Sequence, residues 1–275
     1  MSVDVNRRVL PGFTLSLGYT IFYLSLMVIV PMAAGFLKAS TLSFDAFWSA
    51  VSSDRAVAAY LLTLGTSFAS AAVNIILGVL VAWVLVRYDF PLKRLFDSLV
   101  DFPFALPTAV AGLVFSGLFV QRGWYGRFLV PLGIQGAYSR LGIVLVLVFI
   151  GFPFVVRTLQ PVLEGLDLDV EEAAACLGAN RFQTVLRVVF PSIVPAVVTG
   201  FALSFARALG EYGSVVFISG NMPYKTEIAP VLIVARLEEF AYAEAAAIAV
   251  VLLVMSFVTL FTINLIERWS SRHHG

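Results

Sequence analysis

Asp169-Val170-Glu171-Glu172-Ala173-Ala174-Ala175-Cys176-Leu177-Gly178-Ala179-Asn180-Arg181-Phe182-Gln183-Thr184-Val185-Leu186-Arg187-Val188-Val189-Phe190-Pro191 is too charged to cross a membrane and too regular to be an irregular link. Asp169 is placed to cap a helix, with Glu172 as the reciprocal capping-box partner. Val170, Ala173, Ala174 and Leu177 then share one helical face. Gly178 stands where a helix wants a left-handed terminating residue. A second helix follows, with Phe182, Val185, Leu186 and Val189 on one face and Gln183, Thr184 and Arg187 on the other. Pro191 marks the start of the next apolar stretch. The segment therefore reads as a hairpin of two short amphipathic helices.

On both sides of this hairpin the chain is apolar. Of its 275 residues 60% are hydrophobic and 13% charged, against about 25% charged in an average soluble domain. Such a chain has too little polar surface to stay in water. Six stretches supply the roughly 20 apolar residues that a spanning helix requires: about 13–37, 60–86, 99–120, 141–159, 191–219 and 243–266. The first is about twice the length of a signal-peptide core, so it is expected to remain as a span. With the amino terminus inside, the cytoplasmic segments carry Arg7, Arg8, Arg87, Lys93, Arg94, Arg157, Arg181, Arg187, Arg268 and Arg272. The opposite side carries Lys38, Arg55, Arg122, Arg127, Arg140, Lys225 and Arg236. The excess has the sign of the positive-inside rule, and an even number of spans puts both termini in the cytoplasm. Trp83, Tyr88, Trp124, Tyr125 and Trp269 fall near span ends, as interfacial aromatics do.

The expected organisation is all-α and integral to the membrane: an amino-terminal tail, first span and periplasmic loop (1–59), a transmembrane core holding the hairpin (60–266, hairpin 161–191), and a cytoplasmic tail (267–275). The net charge of +1 gives no electrostatic footprint for nucleic acid. Cys176 is the sole cysteine, which excludes an internal disulfide or a cysteine metal cluster. His273 and His274 read as a polar tail rather than a metal site.

The hairpin has three readings: packing on its own bundle, docking of a soluble partner, or a DNA-binding helix–turn–helix. The acidic start, with only Arg181 and Arg187 as cations, argues against the third. At this point a resemblance enters. Glu172-Ala173-Ala174, three residues, Gly178, nine residues, then Val188-Val189-Phe190-Pro191 resembles the EAA loop of binding-protein-dependent ABC importer permeases. That family ends the pattern Ile-x-Leu-Pro, so Val188 and Phe190 depart from it, both conservatively. The segments 10–18, 101–112, 153–164 and 203–213 resemble the T-type permeases of the sulfate/thiosulfate importer family, with W-type and molybdate/tungstate permeases as close relatives.

The resemblance implies a six-helix type-I importer transmembrane domain in a bacterial inner membrane. It implies that Glu171, Glu172, Ala173, Ala174, Gly178, Arg181, Phe182 and Pro191 belong to coupling helices that enter a cleft of a separate ATPase. The implied partners are an ABC ATPase dimer using ATP and Mg, a W-type second permease subunit, and a periplasmic sulfate/thiosulfate-binding protein. No cofactor and no metal is expected on this chain itself. Molybdate or tungstate is the alternative cargo, and an ion-coupled secondary transporter the alternative mechanism.

Two charges sit in the fifth apolar stretch. An arginine at the centre of a span costs about 2.5 kcal/mol or more. Arg207 and Glu211, four residues apart, share a helical face and can pair. They are either a packing lock or a contact on an anion's path, where a guanidinium offers a planar fork of donors. Gly200, Gly210 and Gly213 favour close helix approach. Pro103 and Pro107 are expected to kink the third span and to form a gate. The chain lacks a Gly-x-x-x-x-Gly-Lys-Ser/Thr loop, a His-Glu-x-x-His pair and a Gly-x-Ser-x-Gly elbow. It therefore offers no catalytic residues, and energy must come from another chain or from an ion gradient.

Overall fold

A computed structural model describes residues 13–271, with side chains up to residue 265 apart from that of Leu168. Arg7, Arg8, Arg272, His273 and His274 lie outside the described residues, as do the side chains of Arg268 and Trp269.

The described chain is helical throughout and contains no strand. In chain order the helices are α1 (Phe13–Ala39), α2 (Phe44–Val51), α3 (Asp54–Arg87), α4 (Lys93–Val100), α5 (Phe102–Ala105), α6 (Thr108–Phe119) and α7 (Gly126–Leu129). Then come α8 (Arg140–Glu164), α9 (Leu168–Cys176), α10 (Arg181–Leu209), α11 (Val215–Ile218), α12 (Ala229–Glu238) and α13 (Tyr242–Ser271). Five of these, α1, α3, α8, α10 and α13, are long and apolar enough to cross a membrane.

The third expected span is a correction. Its apolar run is divided among α5 and α6, and the 12 residues of α6 reach only about 18 Å. Pro103 and Pro107 do not kink one continuous helix. Pro103 sits in the first turn of α5 and Pro107 precedes α6, where the missing N–H has no helical partner to lose. Between them Leu106 is extended, at φ −90° and ψ 126°, as the residue before a proline prefers. The fifth span is also displaced. Helix α10 begins at Arg181 and ends at Leu209, so the second hairpin helix and the span are one rod. Pro191 does not interrupt it. A π turn over Val185–Val189 hands over to regular helix at Phe190, just ahead of the proline, and so absorbs the missing hydrogen bond.

The core is the junction of α3, α8 and α10. In lipid the hydrophobic effect does not drive helices together, so close packing and interhelical hydrogen bonds must do so. Gly78 on α3 and Gly200 on α10 both lie against Val155 of α8. Asn74 Nδ2 donates to Ser204 Oγ at 3.0 Å, linking α3 to α10. Gly151 of α8 fits against this bond; a Cβ there would come within 2.4 Å of Ser204 Oγ and 2.6 Å of Asn74 Nδ2. Towards the hairpin the seam continues with Leu85, Leu159, Leu163, Val189 and Ile193, all buried. At the opposite end a paired Arg55–Glu227 contact, at 2.8 and 2.7 Å, ties the loop before α12 to the start of α3. Helix α1 packs only through its second half, where Ala39 is buried with Val51 and Ala247, while its residues from Phe13 to Ile29 include none that is buried.

Candidate coupling surface and membrane pathway

The hairpin forms where the sequence places it, with altered caps. Helix α9 starts after Asp167, not Asp169, and Asp167 makes no side-chain cap. Asp169 and Glu171 lie in its first turn, where carboxylates complement the helix dipole. Gly178 has φ +85°, the left-handed termination expected of it. The capping box belongs instead to the second helix. Gln183 N donates to Asn180 Oδ1 at 2.9 Å, and Asn180 N donates to Gln183 Oε1 at 3.0 Å. The sequence carries the signal for it as Asn-x-x-Gln.

The apolar stripe of α9 faces outward: Val170 and Ala173 are exposed, and Leu177 is 90% exposed. The stripe expected on the second helix splits. Phe182 (74%), Val185 and Leu186 are exposed, while Val189 is buried in the bundle and Thr184, expected outside, is buried too. Ala174 is half-buried, Pro191 half-buried, and Glu172 and Arg181 exposed. Glu171 differs from the rest: its carboxylate accepts from Arg87 Nη2 at 2.6 Å, fastening α9 to the end of α3. Arg87 also lies over the Trp83 ring at 5.5 Å. Beside this tether a cavity of about 820 Å³ separates the hairpin from α3, lined by Trp83, Tyr88, Arg181, Val185 and Phe190 among others. The hairpin is thus held off the bundle with its apolar side chains uncovered.

A second cluster lies between α4 and α8. Arg157 Nη1 donates to Asp97 at 2.6 Å, and Nε and Nη2 donate to Asp101 at 2.8 and 2.6 Å. Gln160 Nε2 donates to Asp97 at 2.9 Å. Hydrogen bonds from Gln160 and then Arg157 hold the Asp97 carboxyl below the usual carboxylate range. This network fixes the hairpin-side approach to the divided third span.

Deeper in the bundle the structure joins Arg207 and Glu211 at 2.6 Å, as their spacing predicts. Glu211 is not in the helix, however. It lies in the turn after α10, 3% exposed, and its other oxygen accepts from Ser214 N and Ser214 Oγ, both at 2.9 Å. The turn that Glu211 organises packs on α6. A Cβ on Gly112 would meet Ser214 O at 2.2 Å, and one on Gly213 would meet Thr108 Oγ1 at 2.4 Å. The interruption at Leu106–Pro107 and the interruption after Leu209 therefore touch. Their depth follows from α8. Gly151, level with Ser204, is about 16 Å from one end of that helix and about 20 Å from the other, at about 1.5 Å per residue. Arg207, one turn beyond Ser204, is about 12 Å from the Arg140 end of α8, within the apolar length of the bundle. Broken helices meeting within the membrane are how transporters build pathways through lipid.

A bundle of spanning helices, interrupted at its centre and carrying an uncovered hairpin at one end, defines the membrane subunit of a transport system. Residues 74–273 match the family described as binding-protein-dependent transport system inner membrane component, and the chain belongs to that family. It is 51% identical over 257 residues to the sulfate transport system permease protein CysT of Synechococcus elongatus, covering 94% of this chain and 92% of that protein. To the protein of the same name from Escherichia coli it is 47% identical over 262 residues, 95% of each. Its fold is shared with a bacterial ABC transporter that imports alginate, at TM-score 0.77 and 19% identity over 93% of this chain and 94% of that one. The MetNI methionine ABC transporter in an inward-facing conformation also shares it, at TM-score 0.61 and 16% identity over 83% and 99%. The chain is a multi-pass membrane permease subunit of an ABC importer and not itself an enzyme.

Proposed function

We propose that the chain is the T-type permease of an ATP-driven importer of sulfate and thiosulfate, and that its hairpin is the grip of a separate ATPase. The observation that carries this reading is the set of exposed apolar side chains on the hairpin, Val170, Leu177, Phe182 and Leu186, on an intact Glu-Ala-Ala…Gly…Pro spacing. Water does not tolerate such a set without a partner. Glu172, Ala173, Ala174, Gly178 and Arg181 complete the grip, while Glu171 fastens it to the bundle. Closure of an ATPase dimer on ATP and Mg would draw two hairpins together, and the rod of α10 would carry that movement into the apolar length of the bundle. The sulfate cargo rests on the names of relatives that are about half identical along nearly their whole length.

A pathway of this kind needs two bundles, and a W-type permease is the second subunit we infer. The uncovered first half of α1 supports an adjoining bundle. A periplasmic binding protein delivers the anion to the face opposite the hairpin. Both termini are cytoplasmic, in keeping with the basic residues around the hairpin. The divided segment at Pro103 and Pro107, clasped by the turn after α10, is the gate. Residues 60–266 form the transport core.

Uptake of labelled sulfate into cells lacking their own importer tests the reading, with this chain supplied alongside its ATPase, second permease and binding protein. Sulfate should accumulate, with molybdate and tungstate as weaker competitors, and the ATPase should co-purify with wild type but not with an E172K/G178D variant. Uphill movement of anions by this chain alone in liposomes would overturn the proposal.

A further inference from the structure

The pair within the membrane leaves half of a binding group unused. Arg207 gives Nη1 to Glu211, and among the described residues its Nε and Nη2 make no hydrogen bond. Its side chain is 32% exposed. Beside it, Gly210 has no atom within 4 Å of where a Cβ would stand, and Tyr212 is exposed. The Arg207 side chain is thus partly open to its surroundings. A bare guanidinium edge facing lipid at mid-span costs about 2.5–3.5 kcal/mol, which favours a polar surface over lipid beside it. Nε and Nη2 form the side edge of the guanidinium, two parallel N–H groups spaced to meet two oxygens of one anion.

Glu211 is differently placed. Both its oxygens are occupied, one of them by Ser214 N and Ser214 Oγ, so it cannot follow Arg207 or release it cheaply. The result is a fork of donors whose positive charge is already balanced. An unbalanced cation there would hold a divalent anion too tightly to let it go, and conduction requires a site that can be left as readily as it is reached.

Resting on the reading of this chain as an oxyanion permease, we propose that the Nε/Nη2 edge of Arg207 is a transit site for tetrahedral oxyanions. Glu211 acts there as the counter-charge that keeps occupancy brief. The site favours anions that present two oxygens to one fork over spherical halides.

The test uses the complete transporter in proteoliposomes with loaded binding protein and ATP. R207K keeps the charge but replaces the fork by a point donor, and R207Q/E211Q removes both charges without leaving one unpaired. Each should retain its ATPase and the stimulation of ATP hydrolysis by loaded binding protein, while sulfate uptake falls about tenfold, the size of one lost bidentate contact. Wild-type uptake by R207Q/E211Q would show the pair to be a packing lock and would overturn the proposal. If that variant does not assemble, R207K decides: unaltered uptake overturns the site, and uptake lost with hydrolysis intact upholds it. As an independent readout, G210C in a C176A background, with Arg207 and Glu211 left in place, should react with an anionic thiol reagent, and sulfate should slow that reaction; reaction at the same rate with sulfate present counts against the site. A wild-type complex that hydrolyses ATP yet imports no sulfate removes the function proposed above, and this site with it, regardless of the variants.

Discussion

The two ends of helix α10 break opposite rules. At Arg181 the rod begins among leucine and phenylalanine side chains that stand uncovered outside the membrane, Leu177 and Phe182 above all. At Leu209 it ends among charges inside the membrane, Arg207 and Glu211. Each end is wrong for the solvent that a lone bundle would meet there, and the errors have different cures. Apolar surface in water is covered by a protein partner; a guanidinium within the membrane is met by water or an anion in a pathway. One continuous helix therefore links a place that lacks a partner to a place that lacks a solute, which is the arrangement a coupled transporter needs.

The largest effect should come from the hairpin end. Both Leu177 and Phe182 are exposed, so L177D/F182D should leave the fold and the inserted bundle unchanged. Two central apolar anchors replaced by charges should weaken ATPase retention by at least about 100-fold, and uptake should fall to background. Pull-down of the ATPase with the variant permease measures this. Retention at the wild-type level would mean that the exposed apolar side chains have some other use and that the two ends of α10 are not comparable.

An intermediate effect should separate the two ends. Gly151 sits where α3, α8 and α10 meet, below Arg207 and far from the hairpin. G151V would drive a side chain into the Asn74–Ser204 bond, a misfit of about 1–3 kcal/mol. ATPase binding should survive while sulfate uptake drops about tenfold, because the rod's far end is displaced and its near end is not. Equal loss of both activities would indicate that the bundle as a whole had failed, which thermal unfolding of the purified subunit would show.

How much of this was readable beforehand follows from what each signal depends on. The hairpin, its Gly178 turn and the pairing of Arg207 with Glu211 depend on spacings of three to four residues, and these came through. Five spanning helices came through because their signal is summed over some twenty residues. The division at Leu106–Pro107 did not, since a proline at a helix start and a proline within a bend look alike until neighbours choose between them. The continuity of α10 through Pro191 was hidden for the same reason: the π turn that makes room for the proline leaves no mark in the sequence. The ties between distant segments, Arg87 to Glu171 and Arg157 to Asp97 and Asp101, have no local signature at all. Asn180 and Gln183 have one, in competition with the same kind of spacing at Asp169 and Glu172, and only the fold decides between the two.

The smallest effect concerns the tie between hairpin and bundle. Arg87 Nη2 to Glu171 at 2.6 Å is the one ion pair among the described residues that joins α9 to a spanning helix. Arg87 Nε, buried, has no hydrogen-bond partner, so the guanidinium depends on Glu171 and the Trp83 ring for its company. An ion pair of this partial exposure contributes about 0.5–1 kcal/mol, too little to decide whether the hairpin forms but enough to decide how stiffly it is held. E171Q keeps an oxygen for Arg87 and should change little. E171A removes it, R87A removes the arginine, and R87A/E171A removes both partners, so these last three variants form with the wild type a cycle that isolates the pair from the lost packing of the arginine stem. With a softer tether the ATPase still binds, since Leu177 and Phe182 are untouched, but part of its movement is spent in the hairpin rather than passed up α10. The ATP consumed per sulfate imported should rise about two- to threefold in E171A, the change that about 0.5 kcal/mol makes in an equilibrium, with ATPase retention unaltered. A ratio identical to wild type would place the stiffness of the hairpin in the α10 rod alone and make Glu171 an ordinary surface charge.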